Sequence, residues 1–173
     1  KEFFRCKGSL LHPEKSVFKS VAEKETITDC DGNHSIFILD GKEHIYSVLI
    51  DILNYIQKET GGRVVITSGY RCPKHNTYVD PSSYNRTSKH MVGAEVKFFV
   101  EGMEDSPKRA LELIKKYYKE NERYGGAKEY LEFKEYNGST NVATTPVYNK
   151  EVFVKLFKKE EGRSLITTTH TLI

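Results

Sequence analysis

The segment 44–68 places the strongest limit on what this chain can fold into. Its first part, HIYSVLIDILNYIQKET, repeats apolar residues at helical spacing, and Gly61-Gly62 provides a stop. The β-branched run RVVIT follows at once and ends at Ser68-Gly69, which is typical of a short buried strand that leads into a turn. The sequence therefore predicts a helix with one buried face, followed directly by a strand. The apolar face of this helix comprises Ile45, Val48, Leu49, Ile52, Leu53 and Ile56.

The remaining segments predict an α+β fold. AEVKFFV and EVFVKLF indicate strands, EYLEFKEY is ambiguous, and Ser106-Pro107 supplies an N-cap and a first-turn proline for a helix through KRALELIKKYYKE. TITDC, a turn at Asp31-Gly32 and the run IFIL before Asp40-Gly41 indicate a hairpin-like lead-in. Because the regular βαβ alternation is missing, we expect a mainly antiparallel sheet with flanking helices.

Length and charge limit the class of protein. A chain of 173 residues with 38% hydrophobic content is long enough for a core, so we expect a single domain over 1–173. Its 27 basic and 24 acidic residues are spread along the chain without a basic stripe, which argues against a nucleic-acid partner. The sequence contains no apolar run of the length that spans a bilayer, so we expect no transmembrane segment.

The three cysteines, Cys6, Cys30 and Cys72, look too few and too scattered for a zinc knuckle or a CxxC redox site. Two alternatives stay open. An exported protein could pair Cys6 with Cys30 and leave Cys72 over, whereas a reducing compartment would leave three buried thiols.

Residues 68–102 concentrate the groups that could hold a metal or a substrate. His90 stands just before a strand, and Gly93 allows a tight bend there, so the imidazole could reach a cleft. Neutral imidazole is a zinc ligand. We expect His75 to order the loop through a hydrogen bond rather than to bind metal.

SGYR after a buried strand, HN soon after it, and SKHMVG before the next strand together resemble the zinc D-Ala-D-Ala carboxypeptidases and related peptidoglycan peptidases. These enzymes share a fold with the hedgehog signalling domain, and the match covers about 64–102. The resemblance implies a hedgehog/DD-peptidase-like fold, a zinc cofactor, a peptidoglycan stem peptide as partner, and a periplasmic or extracellular location. It also implies that His90 is the first zinc ligand, and that Arg71 and Ser88 bind substrate.

The implied role of Arg71 makes physical sense, because a guanidinium can hold a carboxylate through two parallel hydrogen bonds. The alternative for Arg71 is a surface salt bridge, which contributes little to stability. We therefore expect Arg71, Ser88 and His90 to lie together in one cleft.

The chain departs from the family pattern S-x-H-x-x-G-x-A-x-D at its second zinc ligand. Lys97 stands where the pattern has aspartate, and a protonated lysine repels a metal ion. Glu95 lies on the same face of the strand, about 6.6 Å away. It could replace the missing ligand, or it could pair with Lys97, which we favour.

The third ligand of the family is a histidine near the end of the domain, commonly with an acidic general base three residues before it. Here His170 is the candidate, but Thr167 stands three residues before it, so no catalytic base is identified. SLITTTHTLI resembles a strand with no strand after it, so the domain could be cut short at this end.

Three classes of function follow from these patterns. The first is a zinc peptidase that cuts peptidoglycan stem peptides with His90, Glu95 and His170 as ligands. The second is a metal-free relative that binds wall peptides or is an inactive remnant. The third is a protein-interaction domain. Because of Lys97, we expect weak or absent zinc binding and impaired catalysis.

Overall fold

The computed structural model describes residues 1–21, 23–83, 88–121, 131–137 and 150–156. In chain order their helices and strands are β1 (Lys15–Phe18), β2 (Lys24–Ile27), β3 (Ile38–Leu39), β4 (Lys42–Glu43), α1 (Ser47–Thr60), β5 (Val64–Ser68), α2 (Pro73–Val79), β6 (Glu95–Val100), α3 (Pro107–Glu120), β7 (Leu131–Asn137) and β8 (Lys150–Leu156). The chain divides into two compact units, Lys1–Ile45 with Ser68–Gly93, and Tyr46–Thr67 with Ala94–Ile173. The expectation of a single domain over 1–173 stays a prediction.

The second unit contains a four-stranded sheet in the order β5-β6-β8-β7. β8 pairs antiparallel with both β6 and β7. Helix α1 contacts α3 and β6, and α3 also contacts β7 and β8. This mixture of helices with antiparallel strands confirms the α+β prediction. The ambiguous EYLEFKEY segment contributes strand β7.

Helix α1 confirms the predicted helix with one buried face, and β5 confirms the predicted strand, although its five residues are half-buried rather than buried. Four of the apolar side chains of α1 are buried, namely Leu49, Ile52, Leu53 and Ile56. Gly61 ends the helix in the left-handed conformation at φ 69°, which glycine adopts without steric strain. The helix begins at Ser47 rather than His44, because the His44 N–H still donates to the Phe37 carbonyl beside the β3–β4 hairpin.

The first forty-five residues form two separate hairpins, which differs from the predicted lead-in. The TITDC segment contributes β2, which pairs backward with β1 instead of forward with IFIL. β3 pairs with β4, and their turn holds Asp40 at φ 51° and Gly41 at φ 74°. Positive φ at both turn residues suits the twist of a tight hairpin, so the two-residue loop selects this local pairing.

A further helix, α2, was not predicted from the sequence. Pro73 occupies its first turn, where a missing N–H costs nothing. The Cys72 side chain caps the helix by accepting a hydrogen bond from the His75 N–H over 3.3 Å. Among the helices that the structure describes, none is both long and apolar enough to cross a membrane.

The SGYR turn is held tightly against Phe4. The Tyr70 N–H donates to the Phe4 carbonyl over 2.7 Å. A Cβ atom on Gly69 would lie 2.6 Å from the Phe4 Cα and 2.7 Å from the Phe4 carbonyl oxygen. Both neighbours are backbone atoms, so the glycine of SGYR is required by close approach of two chain segments.

We expect Gly69→Ala to destabilise the protein by about 1–3 kcal/mol, the cost of forcing an extra methyl group into a packed site. Denaturant unfolding measures this cost. Lys74→Ala is the control, because Lys74 is exposed in the same unit and its removal should change stability by less than about 0.5 kcal/mol. Equal stability of Gly69→Ala and the parent protein would contradict the close approach.

Candidate functional site

The turn after β5 fixes Arg71 through both its backbone and its side chain. The Arg71 Nε–H donates to Ser68 Oγ over 2.9 Å, and the Arg71 backbone N–H donates to the His90 carbonyl over 3.4 Å. Arg71 is only 8% exposed. The side chain is therefore largely buried and is held at its Nε–H, and the choice between a substrate-binding role and a salt bridge stays a prediction.

His90 is buried beside this turn. Its Nδ1 lies 2.6 Å from the Gly69 carbonyl oxygen. Because a carbonyl can only accept, this contact assigns the ring proton to Nδ1 and leaves the lone pair of the neutral ring on Nε2. Zinc-bound histidines commonly donate their second ring N–H in this way, so the tautomer suits a metal ligand.

Ser88 and Gly93 shape the short turn that carries His90. Ser88 Oγ accepts a hydrogen bond from the His90 N–H over 3.3 Å. Gly93 ends the turn at φ 69°, and a Cβ atom there would lie 2.6 Å from the His44 carbonyl oxygen. The predicted tight bend is confirmed, and Ser88 has a capping role that the sequence did not predict.

The structure thus brings three of the sequence-predicted site residues together in the first unit: Arg71, Ser88 and His90. Their binding roles stay predictions. His170 lies outside the described residues.

Glu95 and Lys97 lie on β6 in the second unit. Glu95 is 8% exposed and faces Lys155 across the β6–β8 pairing, with Lys155 Nζ 3.9 Å from Glu95 Oε2. Lys155, which sequence reasoning did not single out, therefore places a cation beside this carboxylate. The expected pairing of Glu95 with Lys97 stays a prediction.

The predicted zinc ligands fit the metal only in part. His90 has a suitable tautomer, whereas the Lys97 ammonium cannot ligate a cation, and Glu95 already has a lysine beside it. Of the predicted ligands that the structure describes, only His90 is well suited to zinc. These residues alone therefore give no basis for a zinc-activated water.

A buried carboxylate that the sequence analysis missed lies elsewhere in the first unit. Asp29 is 1% exposed, and its two oxygens contact four groups. These groups are His12 Nδ1 at 2.6 Å, His75 Nδ1 at 2.8 Å, the Cys30 N–H at 2.7 Å and the Ser9 N–H at 3.2 Å. Burial alone would raise the pKa of Asp29, but these hydrogen bonds outweigh it and lower the pKa to about 2. Asp29 is therefore ionised at neutral pH.

His75 is the more buried of the two histidines that contact Asp29. It is 6% exposed, and burial lowers the pKa of its imidazole although the Asp29 hydrogen bond acts in the opposite direction. The ring is therefore neutral at neutral pH. The expectation that His75 forms an ordering hydrogen bond is confirmed, but the residue lies on α2 rather than in a loop.

The three cysteines are far apart in the sequence but form one buried cluster in the structure. The expectation that they are too scattered to share a site is therefore wrong. Cys6 Sγ and Cys30 Sγ lie 3.7 Å apart, and Cys72 belongs to the same cluster rather than being left over. All three are buried free thiols. The sequence carried one signal of this, the spacing Cys72-Pro-Lys-His75, which places a thiol and an imidazole one helical turn apart.

Comparison with known proteins agrees with the motif-based resemblance. Residues 20–133, more than half of the chain, match Peptidase M15. The crystal structure of the L-Ala D-Glu endopeptidase ChiX of Serratia marcescens is similar, with 13% sequence identity and a TM-score of 0.42 over 68% of this chain and 84% of that one. No curated protein matches the chain significantly. The family match confirms the resemblance derived from SGYR and SKHMVG, and the chain belongs to the Peptidase M15 family.

Proposed function

We propose that this protein binds the D-amino-acid stem peptides of peptidoglycan at a zinc-peptidase-like site whose catalysis is impaired. The observation that carries the proposal is the fixed, buried Arg71 beside His90. Membership in the Peptidase M15 family supports a peptidase-like site that binds a peptide.

The orientation of Arg71 suits recognition of a peptide's terminal carboxylate. Its contact with Ser68 uses the Nε–H, one of the five N–H donors of a guanidinium. Fixing the side chain before binding reduces the entropy lost when a ligand is held, so a preorganised arginine gains affinity. The charge-assisted pair is also selective, because a neutral C-terminal amide cannot replace the carboxylate.

Ser88 supports the same site in a smaller way. Its oxygen accepts from the His90 N–H, but a hydroxyl also has a donor and can present it to a peptide carbonyl. The family pattern assigns a substrate-side hydroxyl to this position.

Lys97 is the reason to propose impaired catalysis. A catalytic zinc site commonly has three protein ligands and an open position for water. In this chain a cation stands at the second ligand position of the family pattern, and Thr167 rather than an acidic residue stands three residues before the candidate ligand His170. Zinc at this site, if bound, would supply the Lewis acid that activates water in family members.

Arg71→Ala should weaken binding of a peptide ending in D-Ala by about 1.5–3 kcal/mol, the range for a hydrogen bond to a charged group. Isothermal titration calorimetry with the peptide acid and its C-terminal amide measures this loss. Arg63→Ala is the matched control, because Arg63 is exposed and pairs with Glu101. Its removal should leave peptide affinity unchanged. Equal binding of acid and amide by the parent protein would rule out the role of Arg71.

Lys97→Asp should raise zinc affinity, because it removes a repelling charge and adds a carboxylate ligand at the family position. Zinc titration of both proteins at neutral pH measures the difference, since aspartate is then ionised and histidine mostly neutral.

The double variant Lys97→Asp/His90→Ala is the control and should lose the gain. The idea fails if Lys97→Asp binds zinc no more tightly than the parent. Tight zinc binding by the parent that Glu95→Ala abolishes would instead make Glu95 the working ligand.

A further inference from the structure

The spacing of the buried thiols matches a tetrahedral metal site. Four ligands around one zinc ion, with Zn–S near 2.3 Å, place neighbouring sulfurs about 3.8 Å apart. Cys6 Sγ and Cys30 Sγ lie 3.7 Å apart. A disulfide would need about 2.05 Å between the same atoms. This distance suits two sulfur ligands of one metal ion, and it is also the contact distance of two packed thiols.

Imidazole groups lie beside this thiol cluster. The ligand atoms of Cys6, Cys30 and His75 all lie within 4.8 Å of one another, as do those of Cys30, His34 and Cys72. Cys30 belongs to both sets, whereas Cys72 shares a set with His34 and not with Cys6 or His75, so a metal ion would have to draw Cys72 closer to those two ligands. The two sets together contain all three thiols of the chain and two candidate histidines.

His75 is the better fourth ligand. It is buried, and its Nδ1 contacts the ionised Asp29, so the ring carries its proton on Nδ1 and its lone pair on Nε2. A carboxylate that orients a histidine in this way is a common outer partner of zinc ligands. His34 is the more exposed of the two, and its Nε2 atom lies 3.2 Å from Asp31 Oδ1, although this nitrogen is itself buried and makes no hydrogen bond within the described part of the chain.

Backbone N–H groups point at the sulfurs. The His75 N–H donates to Cys72 Sγ over 3.3 Å. Burial raises the pKa of the Cys6 and Cys30 thiols, and the backbone N–H groups of Gly8 and Cys72 at Cys6, and of Gly32 at Cys30, oppose that rise in part. Donors aimed at sulfur stabilise negative charge there.

Gly8 and Gly32 each stand two residues after a cysteine of the cluster, and neither position has room for a side chain. A Cβ atom on Gly8 would lie 2.0 Å from Cys30 Sγ. Gly32 has φ 75°, and a Cβ atom there would lie 2.4 Å from the Gly8 carbonyl oxygen. The two turns therefore close around the cluster only because neither glycine carries a side chain.

From this geometry we propose that Cys6, Cys30, Cys72 and His75 form a structural zinc site, separate from the family site at His90. The site takes a thiophilic divalent ion and is closed, with four protein ligands and no position for substrate. Binding releases the thiol protons, so the affinity falls as pH decreases. Cys72 follows Arg71 directly, and the metal would therefore anchor the turn that presents Arg71.

Cobalt substitution tests this site in the complete chain. Purified protein, reduced and stripped of metal, is titrated with Co²⁺ while its absorption is recorded. We expect about one strongly bound ion per chain with thiolate-to-cobalt charge-transfer absorption, together with the intense visible bands of tetrahedral cobalt. Zinc added afterwards should displace the cobalt and abolish both signals.

Substitutions then assign the ligands. Cys30→Ser should abolish the charge-transfer signal, and His75→Ala should alter the visible bands. Asp29→Asn should weaken binding by about 10–100-fold, as loss of an outer-shell partner does. His90→Ala should keep the whole signal, which separates this site from the family site. His34→Ala is the matched control and should also keep it.

Two results would overturn the site. One is that the parent protein shows no charge-transfer absorption although all three of its thiols react after unfolding. The cluster would then be a packed group of thiols without a metal. The other is a Cys6–Cys30 disulfide found by mass spectrometry in protein purified without reductant. Loss of the signal in His34→Ala but not in His75→Ala would overturn the choice of His75. If Cys30→Ser does not fold, the spectrum of the parent protein decides alone, because only thiolate ligands produce that absorption.

Discussion

The first unit depends on one buried carboxylate. Asp29 is almost completely shielded from water, and an ionised group in such a place is tolerated only when its oxygens are fully hydrogen-bonded. Its partners come from separate parts of the chain, His12 and Ser9 before β1, Cys30 after β2, and His75 on α2. Satisfying this one charge therefore fixes the N-terminal segment, the end of the first hairpin and α2 in a single arrangement.

The SGYR turn connects this arrangement to the proposed peptide site. Gly69 packs against the Phe4 backbone, and its carbonyl accepts a hydrogen bond from His90 Nδ1–H. Tyr70 packs against the thiols, and Arg71 donates a hydrogen bond to Ser68. Binding groups held by packed neighbours lose little freedom when a ligand arrives. The proposed metal would thus act on peptide recognition only by keeping this turn rigid.

Local patterns in the sequence were sufficient for much of the fold but not for the cluster. Apolar spacing and a terminal glycine predicted α1, and β-branched runs predicted β5, because these signals depend on near neighbours. The predicted pairing of TITDC with IFIL was wrong, because several short runs in this region could pair equally well by pattern alone. The convergence of Cys6, Cys30 and Cys72 depends on contacts between distant segments, which no periodicity reveals. Of the candidate site, the motif predicted the grouping of Arg71, Ser88 and His90, whereas Asp29 was hidden inside a segment read as a strand.

We propose that Lys97 impairs the family's zinc position and that the thiol cluster provides the stronger metal site. X-ray absorption at the zinc edge of the purified protein tests it directly, because sulfur and nitrogen neighbours scatter differently. We expect a first shell dominated by sulfur at about 2.3 Å, with about three sulfurs for one nitrogen. A shell of nitrogen and oxygen alone, at about 2.0–2.2 Å, would contradict it by placing the metal at the peptidase site.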